Sequence, residues 1–325
     1  FKALTVISTK EMVESACENL FYNQANGNYY LQISRKEGKD TVTMISSIPM
    51  PQTLVDRILS ATDKGHSVEP MIKFWTRLLR NPVVRSQGEM NVFARLLCDY
   101  VSATYVDQIL EEQYLEQGYS EELAREYATV PQTPFTREGL ICTKKVVNPL
   151  FNSNVSEFVL DEEGRPVIQT KSDFQPTLNA LTGEMEQVED PETFSEDWVF
   201  EPEIIKGGEK FACGDMQNVY IYMVGKEARL SSWDSVDCNS NHSCVPGLHT
   251  GNQNYIDSWE NQRNVTLNCF VDPGEVGAVS QGEHVLRVRA FYPHSIKNRE
   301  ESNKQLYFSS DYAAQTDAVW EEDKK

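Results

Sequence analysis

Apolar and polar residues interleave in YYLQIS (29–34) and in TVTMISSI (41–48), with the turn-forming RKEGKD between them, a pattern that predicts a β-hairpin. In the following PMPQTLVDRILSATDKG, Leu54, Ile58 and Leu59 fall at helical spacing and predict a short helix that stops before Gly65. From Glu69 the helical period takes over. Met71, Phe74, Trp75 and Leu78 form one stripe, and Val92, Phe93, Leu96, Leu97, Tyr100 and Val101 form a second, as core-facing helices require. Asn81-Pro82 separates the two, because proline disfavours helical backbone in the residue before it. DQILEEQYLEQGYSEELAREYATV continues as helix with an exposed acidic side, broken near Gly118 and Tyr119.

Gly139, ahead of the β-branched run in PFTREGLICTKKVVNPLF, marks a return to strands. Residues 151–206 then carry fourteen acidic side chains against Arg165, Lys171 and Lys206 without a sustained period, and they read as a long irregular, solvated excursion. VYIYMVG, VTLNCFV and VLRVRAFY are predicted strands. In VTLNCFV the alternation sets Val265, Leu267, Cys269 and Val271 on one face and Thr266 and Asn268 on the other, so Cys269 is expected in the core. Between the first two of these strands, a strand around Leu248 is expected to end at Gly251 and to lead into a helix NQNYIDSWEN with Asn252 as its N-cap. The fold class that follows is α+β. It comprises a small α/β N-terminal part (1–66), a helical middle (67–133), and a β-rich C-terminal domain (134–294) built around a Gly-Leu-His strand-turn-helix. A polar acidic tail (295–325) follows, expected to be a surface arm or poorly ordered.

Composition narrows the functions available. The chain has 325 residues, enough to bury sizeable cores without staples, and a formal charge of -19. That charge argues against gripping nucleic acid or adsorbing to anionic lipid, both of which need clustered Lys and Arg. No apolar stretch is long enough to span a bilayer, and the first thirty residues lack the basic start and apolar core of a signal peptide. The seven cysteines are odd in number and mostly far apart, several within apolar runs, which suggests reduced thiols. In that setting the Asn-x-Ser/Thr matches at Asn154, Asn241 and Asn264 are chance hits.

Candidate chemistry gathers at SCVPGLHTGNQNYIDSW (243–259). With the preceding residues, Cys238, His242, Cys244 and His249 form a C-x3-H-x-C-x4-H run of suitable types for tetrahedral zinc. The spacing fits no common zinc module, and ligands one residue apart point to opposite sides of an extended chain. Cys244 with His249 as base would make a nucleophile, but the sequence supplies neither a thiolate-stabilising setting nor a third orienting group. A strand ending in His-Thr-Gly before an aromatic-bearing helix also resembles the first motif of ADP-ribosyltransferases. That likeness implies His249 on a nicotinamide ribose and Glu275 or Glu283 as the later glutamate, although little chain follows. No Gly-rich phosphate loop or paired-carboxylate motif stands out, so no cofactor is expected. In the plainer reading, His249 is a hydrogen-bonded histidine fixing the turn, and Cys244 is a small apolar filler.

Five stretches in order, WTRLLRNPVVRSQGEMNVFARLL, PFTREGLICTKKVV, NHSCVPGLHTGNQNYIDSW, VTLNCFVDPGEVGAVS and VLRVRAFY, together resemble the RIIB lysis-inhibitor-like proteins of tailed bacteriophages. The likeness is carried by Asn81-Pro82, by Gly139 with Lys145-Val146, and by a Cys-x-x-Gly-Leu-His-x-Gly core at Cys244, Gly247, Leu248, His249 and Gly251. Asp272-Pro273 and Val276 with Val279 complete it. It covers 69–292 apart from the acidic excursion; the first sixty residues match only in general character. The chain departs from the family at Ser280, where a proline is usual, and in its longer acidic insertion and tail. The resemblance implies a non-enzymatic protein of the host cytoplasm. It would act with a larger RIIA-like partner, reach the inner membrane only peripherally, and influence lysis timing and phage exclusion. It carries no catalytic residue onto this chain. A virion structural component on the same fold, and an enzyme centred on His249, stand as alternatives, and homo-oligomerisation is left open.

Overall fold

The computed structural model describes residues 20–37, 40–87, 91–149, 169–170, 177–178, 185–186, 210–214, 218–242, 245–260, 264–280, 284–297 and 305–322. The chain divides into two compact units, Phe1–Cys142 with Asp272–Gly274, and Thr143–Val271 with Glu275–Lys325. The fold is α+β, with a β-rich C-terminal region.

The first unit opens on a three-stranded antiparallel sheet of β1 (Leu20–Asn23), β2 (Asn28–Glu37) and β3 (Asp40–Met50). β2 and β3 form the expected hairpin, pairing Glu37 with Asp40 at its closed end. Helix α1 (Gln52–Asp63) buries Leu54, Val55 and Ile58, so Val55 joins the stripe while Leu59 stays half-buried. Helix α2 (Glu69–Leu78) starts with a proline in its first turn, where no amide donor is lost, and buries Met71, Phe74, Trp75 and Leu78 as the spacing predicts. Removing the Phe74 side chain from water contributes about 2 to 3 kcal/mol.

Asn81 stops α2 and starts α3 (Pro82–Gln87), its side-chain oxygen accepting from the Val83 amide at 2.8 Å. Helix α4 (Val92–Ser102) is capped by Asn91, whose Oδ1 accepts from the Ala94 amide at 2.8 Å. Its core face is Phe93, Ala94, Leu97, Cys98, Tyr100 and Val101; Val92, in the first turn, stands in solvent. The acidic helical segment resolves into α5 (Gln108–Glu116) and α6 (Glu121–Tyr127), separated at Gly118. These helices sit on a two-stranded stem of β4 (Thr104–Val106) and β5 (Thr129–Pro131).

Gly139 lies in a tight turn closed by the Thr136 and Leu140 backbones, with φ +79°. A Cβ there would come within 2.3 Å of the Phe74 amide nitrogen, which is backbone and cannot yield. Gly139→Ala therefore combines a left-handed backbone with overpacking, and is expected to cost about 3 kcal/mol of stability in denaturant unfolding. A loss below about 1 kcal/mol would show that the turn can reopen without harm.

The second unit is organised by a ten-stranded sheet. β6 (Ile141–Pro149) alternates burial strictly, with Thr143, Lys145 and Val147 inward. Of the acidic excursion, only the two-residue strands β7 (Gln169–Thr170), β8 (Thr177–Leu178) and β9 (Met185–Glu186) lie among the described residues. β10 (Lys210–Gly214), β11 (Asn218–Met223) and β12 (Ala228–Arg229) follow, then β13 (Leu248–Gly251), helix α7 (Gln253–Asp257) and β14 (Val265–Val271). Next come β15 (Val276–Val279), β16 (Val285–Val288) and β17 (Ala290–Ile296). The principal strand order is β12-β17-β14-β6-β10-β11-β7, with β13, β15 and β16 branching from it.

Cys269 is fully buried in β14, as expected, but Thr266 and Phe270 on the opposite face are buried too, because this strand is central to the sheet. VLRVRAFY is two strands rather than one. Arg289 leaves the ladder, its amide donating to the Glu275 carbonyl and its guanidinium to the Glu275 carboxylate. The tail also differs from the expected arm: Gln305–Glu322 is a helix, α8, that buries Tyr312, Ala313 and Thr316. Among the described residues no helix is long and apolar enough to cross a membrane.

A run of stacked rings crosses this unit: His294 on Phe270 at 4.0 Å, Phe270 parallel to Tyr292 at 6.5 Å, and Tyr292 on Tyr312 at 5.0 Å. His294 is 5 % exposed and its Nδ1 has no hydrogen-bond partner among the described residues. Burial lowers its pKa from 6.5 to about 4. The unfolded chain thus binds the extra proton first, and stability is complete above pH 6.5 and falls as the pH drops toward 4. The loss expected from this residue is about 3 kcal/mol across that window. Urea unfolding of wild type and His294→Phe over the same pH range tests it, since an unchanged slope in the variant would exclude His294 as the source.

Candidate functional site

The Gly-Leu-His segment is held from both sides by the sheet. β13 runs antiparallel to β16, setting Leu248 opposite Val288, His249 opposite Arg287, Thr250 opposite Leu286 and Gly251 opposite Val285. Gly251 also pairs with Lys144 of β6. Gly247 has φ +135°, a backbone conformation side chains rarely adopt, and the Arg287 stem packs 3.6 Å from where a Cβ would be. Gly251 is required for a different reason: a Cβ there would meet the Tyr255 ring at 2.4 Å. Asn252 is the N-cap of α7 as expected, its Oδ1 accepting from the Tyr255 amide at 3.3 Å. Its own amide donates to the carbonyl of His284, a non-glycine residue at φ 55°.

His249 is half-buried, and its carbonyl accepts from the Lys145 ammonium at 2.8 Å. Lys145 is itself buried and stands 5.2 Å from the centroid of the Tyr222 ring, whose face offsets part of the cost of burying the charge. Lys145 was matched in sequence only through the Lys-Val pair; its cation bridges the strand of that pair to the strand of His249.

Of the Cys/His run, Cys238 and His242 lie beyond the Asp237 amide, which donates to the Pro246 carbonyl at 2.9 Å, whereas His249 lies on β13. Asp237 and Asn239 each accept from amides two residues on, at 2.7 and 3.0 Å. Arg287, fully buried, donates to the Asn239 carbonyl at 2.5 Å and lies 3.6 Å from the Asp237 carboxylate. His242 is exposed, with Nδ1 2.8 Å from the Asp237 carboxylate and Nε2 3.1 Å from Nδ2 of the Asn239 side chain. The His242 hydrogen bond, then that from the Asn239 amide, hold Asp237 below the usual carboxylate range. Cys238 contacts the Val236 carbonyl at 3.6 Å, and burial raises its thiol above the ordinary value. Among the described residues no three His, Cys, Asp or Glu side chains converge in a metal-holding group. Cys244 lies outside the described residues, and so does the proposed Cys244–His249 pair.

Cys98, Cys142, Cys238 and Cys269 are free thiols. Burial pushes Cys142 up to about 12 and raises Cys98 and Cys269 further, which suits filler rather than nucleophiles.

Sequence reading missed a buried charge cluster around Glu275. Glu275, 1 % exposed, accepts from Arg289 at 2.6 and 2.9 Å and from Arg229 at 3.0 Å. Arg229 also takes both oxygens of Glu227 at 2.7 and 2.8 Å, and the Tyr312 hydroxyl donates to Glu227 at 3.1 Å. Burial alone would raise Glu275, but the Arg289 hydrogen bond and the two guanidinium charges outweigh it and lower its pKa. The glutamate available to the transferase reading is thus the counter-ion of two arginines, and Glu283 lies outside the described residues.

Asp272 and Pro273 also acquire partners. Asp272 is fully buried and bonds Arg77 at 2.6 Å, while the Pro273 carbonyl accepts from the Asn81 side chain at 2.9 Å. Arg77 donates in addition to the Glu138 carbonyl at 2.9 Å. At the position where the resembled family usually has proline, the Ser280 amide donates to the Val285 carbonyl at 3.1 Å, a bond that proline could not make. Comparison of the chain with protein-family models, curated proteins and solved structures finds no match.

Proposed function

We propose that this chain is a non-enzymatic accessory protein that works through contacts with other proteins, of the kind its likeness to RIIB-like phage proteins implies. Such a protein acts with a larger RIIA-like partner in controlling host lysis and phage exclusion. The observation that carries the reading is the structural employment of the Gly-Leu-His segment. Its strand is paired on both sides, its glycines accommodate close packing, its asparagine caps a helix, and the His249 carbonyl is anchored by Lys145. The charge of -19 supports contact with the membrane through a partner rather than directly.

Fractionation of phage-infected cells tests the proposal. The expected result is recovery of the protein with host membranes alongside one large partner in constant ratio, and its absence from purified particles. Fixed copy number in purified particles would replace the reading with a virion role. Stoichiometric zinc in the purified protein would replace it with a metal-site role.

A further inference from the structure

The α5–α6 hairpin buries almost nothing. Helix α5 has no buried residue, and in α6 only Ala124 is buried. Yet six of the nine exposed large apolar side chains among the described residues lie here: Tyr105, Ile109, Leu115, Tyr119, Leu123 and Tyr127. Ile109 is 69 % exposed, more than any other of the nine. Tyr114, Tyr119 and Tyr127 meet edge-on, with ring centroids 5.6 Å apart in all three pairs, so the aromatic surface is held in place before anything binds. The helices are fixed independently of this surface by their caps, Asp107 accepting from the Ile109 and Leu110 amides and Ser120 from the Leu123 amide.

Apolar side chains concentrated in this way mark contact surfaces, and tyrosine is enriched in them because a ring covers much area at little entropic cost. Charge selects the occupant. Residues 104–131 carry seven carboxylates against one basic side chain, Arg125. Phosphate-bearing partners are repelled, and so is a second copy of this acidic chain. A basic segment is attracted, since its Lys and Arg side chains can pair with the carboxylates and lie over the tyrosine faces while its apolar residues cover Ile109 and Leu123. The geometry points to the α5–α6 hairpin as the docking site for a partner protein that presents a basic, amphipathic segment. This deepens the reading of the chain as a protein that acts by contact, and rests on it.

The test is fluorescence anisotropy of a short labelled peptide, with Lys and Arg on one helical face and Leu on the other, titrated with the full chain. Binding is expected to weaken about tenfold or more in Tyr119→Ala/Tyr127→Ala and in Glu112→Gln/Glu122→Gln, and to change little in Asp63→Asn, an exposed carboxylate on α1. A peptide with Glu in place of each Lys and Arg should not bind. Ile109→Ser, which lies outside the tyrosine cluster, should weaken binding while leaving the thermal unfolding midpoint unchanged, so that a misfolded tyrosine variant cannot decide the matter. Equal affinity for all variants would show only diffuse attraction to an acidic protein and would overturn the inference, as would absence of binding. Because no cellular partner is needed, the outcomes separate: peptide binding at the hairpin without a co-purifying partner keeps the site and removes the accessory reading. A partner whose recovery survives the hairpin variants does the reverse.

Discussion

Asp272→Ala is expected to destabilise the first unit by about 3–5 kcal/mol, because it removes a fully buried carboxylate that pairs with the buried Arg77 guanidinium at 2.6 Å. Arg77 has 7 % of its side chain exposed and Asp272 none, so water cannot replace the lost partner. Arg77 also donates to the Glu138 carbonyl, a neutral acceptor that does not take the place of a carboxylate. Equilibrium urea unfolding followed by circular dichroism measures the loss. The paired replacement Arg77→Met/Asp272→Leu should recover most of it, since removing both charges also removes the desolvation cost that the pair carries. A single variant within about 1 kcal/mol of wild type would show that the carboxylate is dispensable.

Glu275→Ala should cost a similar amount, about 3–5 kcal/mol, in the second unit. Arg289 would lose its carboxylate entirely among the described residues, whereas Arg229 would keep Glu227. The Arg289 backbone is also tied to this site through the Glu275 carbonyl, so the break between β16 and β17 should loosen. Acid gives a second readout. The folded carboxyl titrates below its unfolded value of about 4.5, so its stabilising effect is complete above that value and is lost as the pH falls through the lowered one. Wild type should therefore lose stability in two stages on acidification, His294 acting first and Glu275 below it. Glu275→Ala should lose less stability than wild type below that value while the His294 stage is unchanged, the residual loss coming from other lowered carboxyls such as Asp237; an acid loss identical to wild type would refute the assignment.

Much of the fold was legible in the sequence where the information is local. Phe74 and Trp75 fall on a helical stripe, Asn81-Pro82 breaks a helix, and Asn252 caps one, and each follows from side-chain spacing or backbone restriction within a few residues. The strand, turn and helix around His249 were equally readable. What was not readable depends on distant partners. Nothing near Asp272 indicates Arg77, and nothing in VLRVRAFY shows that Arg289 will leave the ladder for Glu275. The last helix escaped because the buried residues among its described side chains, Ser309, Tyr312, Ala313 and Thr316, are small or polar-tipped and form no broad apolar stripe. For the candidate site, sequence located the Cys/His loop but could not show that Arg287 secures it or that Lys145 holds the His249 carbonyl. The acidic pattern of 107–130 was visible, but the meeting of its tyrosines across two helices was not.

The Arg77–Asp272 pair joins residues 195 positions apart. At ordinary translation rates of about 5–20 residues per second, Arg77 leaves the peptidyl-transfer centre roughly 10–40 s before its counter-ion is even synthesised. During that interval the helical part of the first unit lacks the carboxylate that Arg77 pairs with in the folded protein. One packing step of this unit therefore waits on the ribosome, and a messenger truncated before the Asp272 codon would yield a first unit without the Arg77–Asp272 pair.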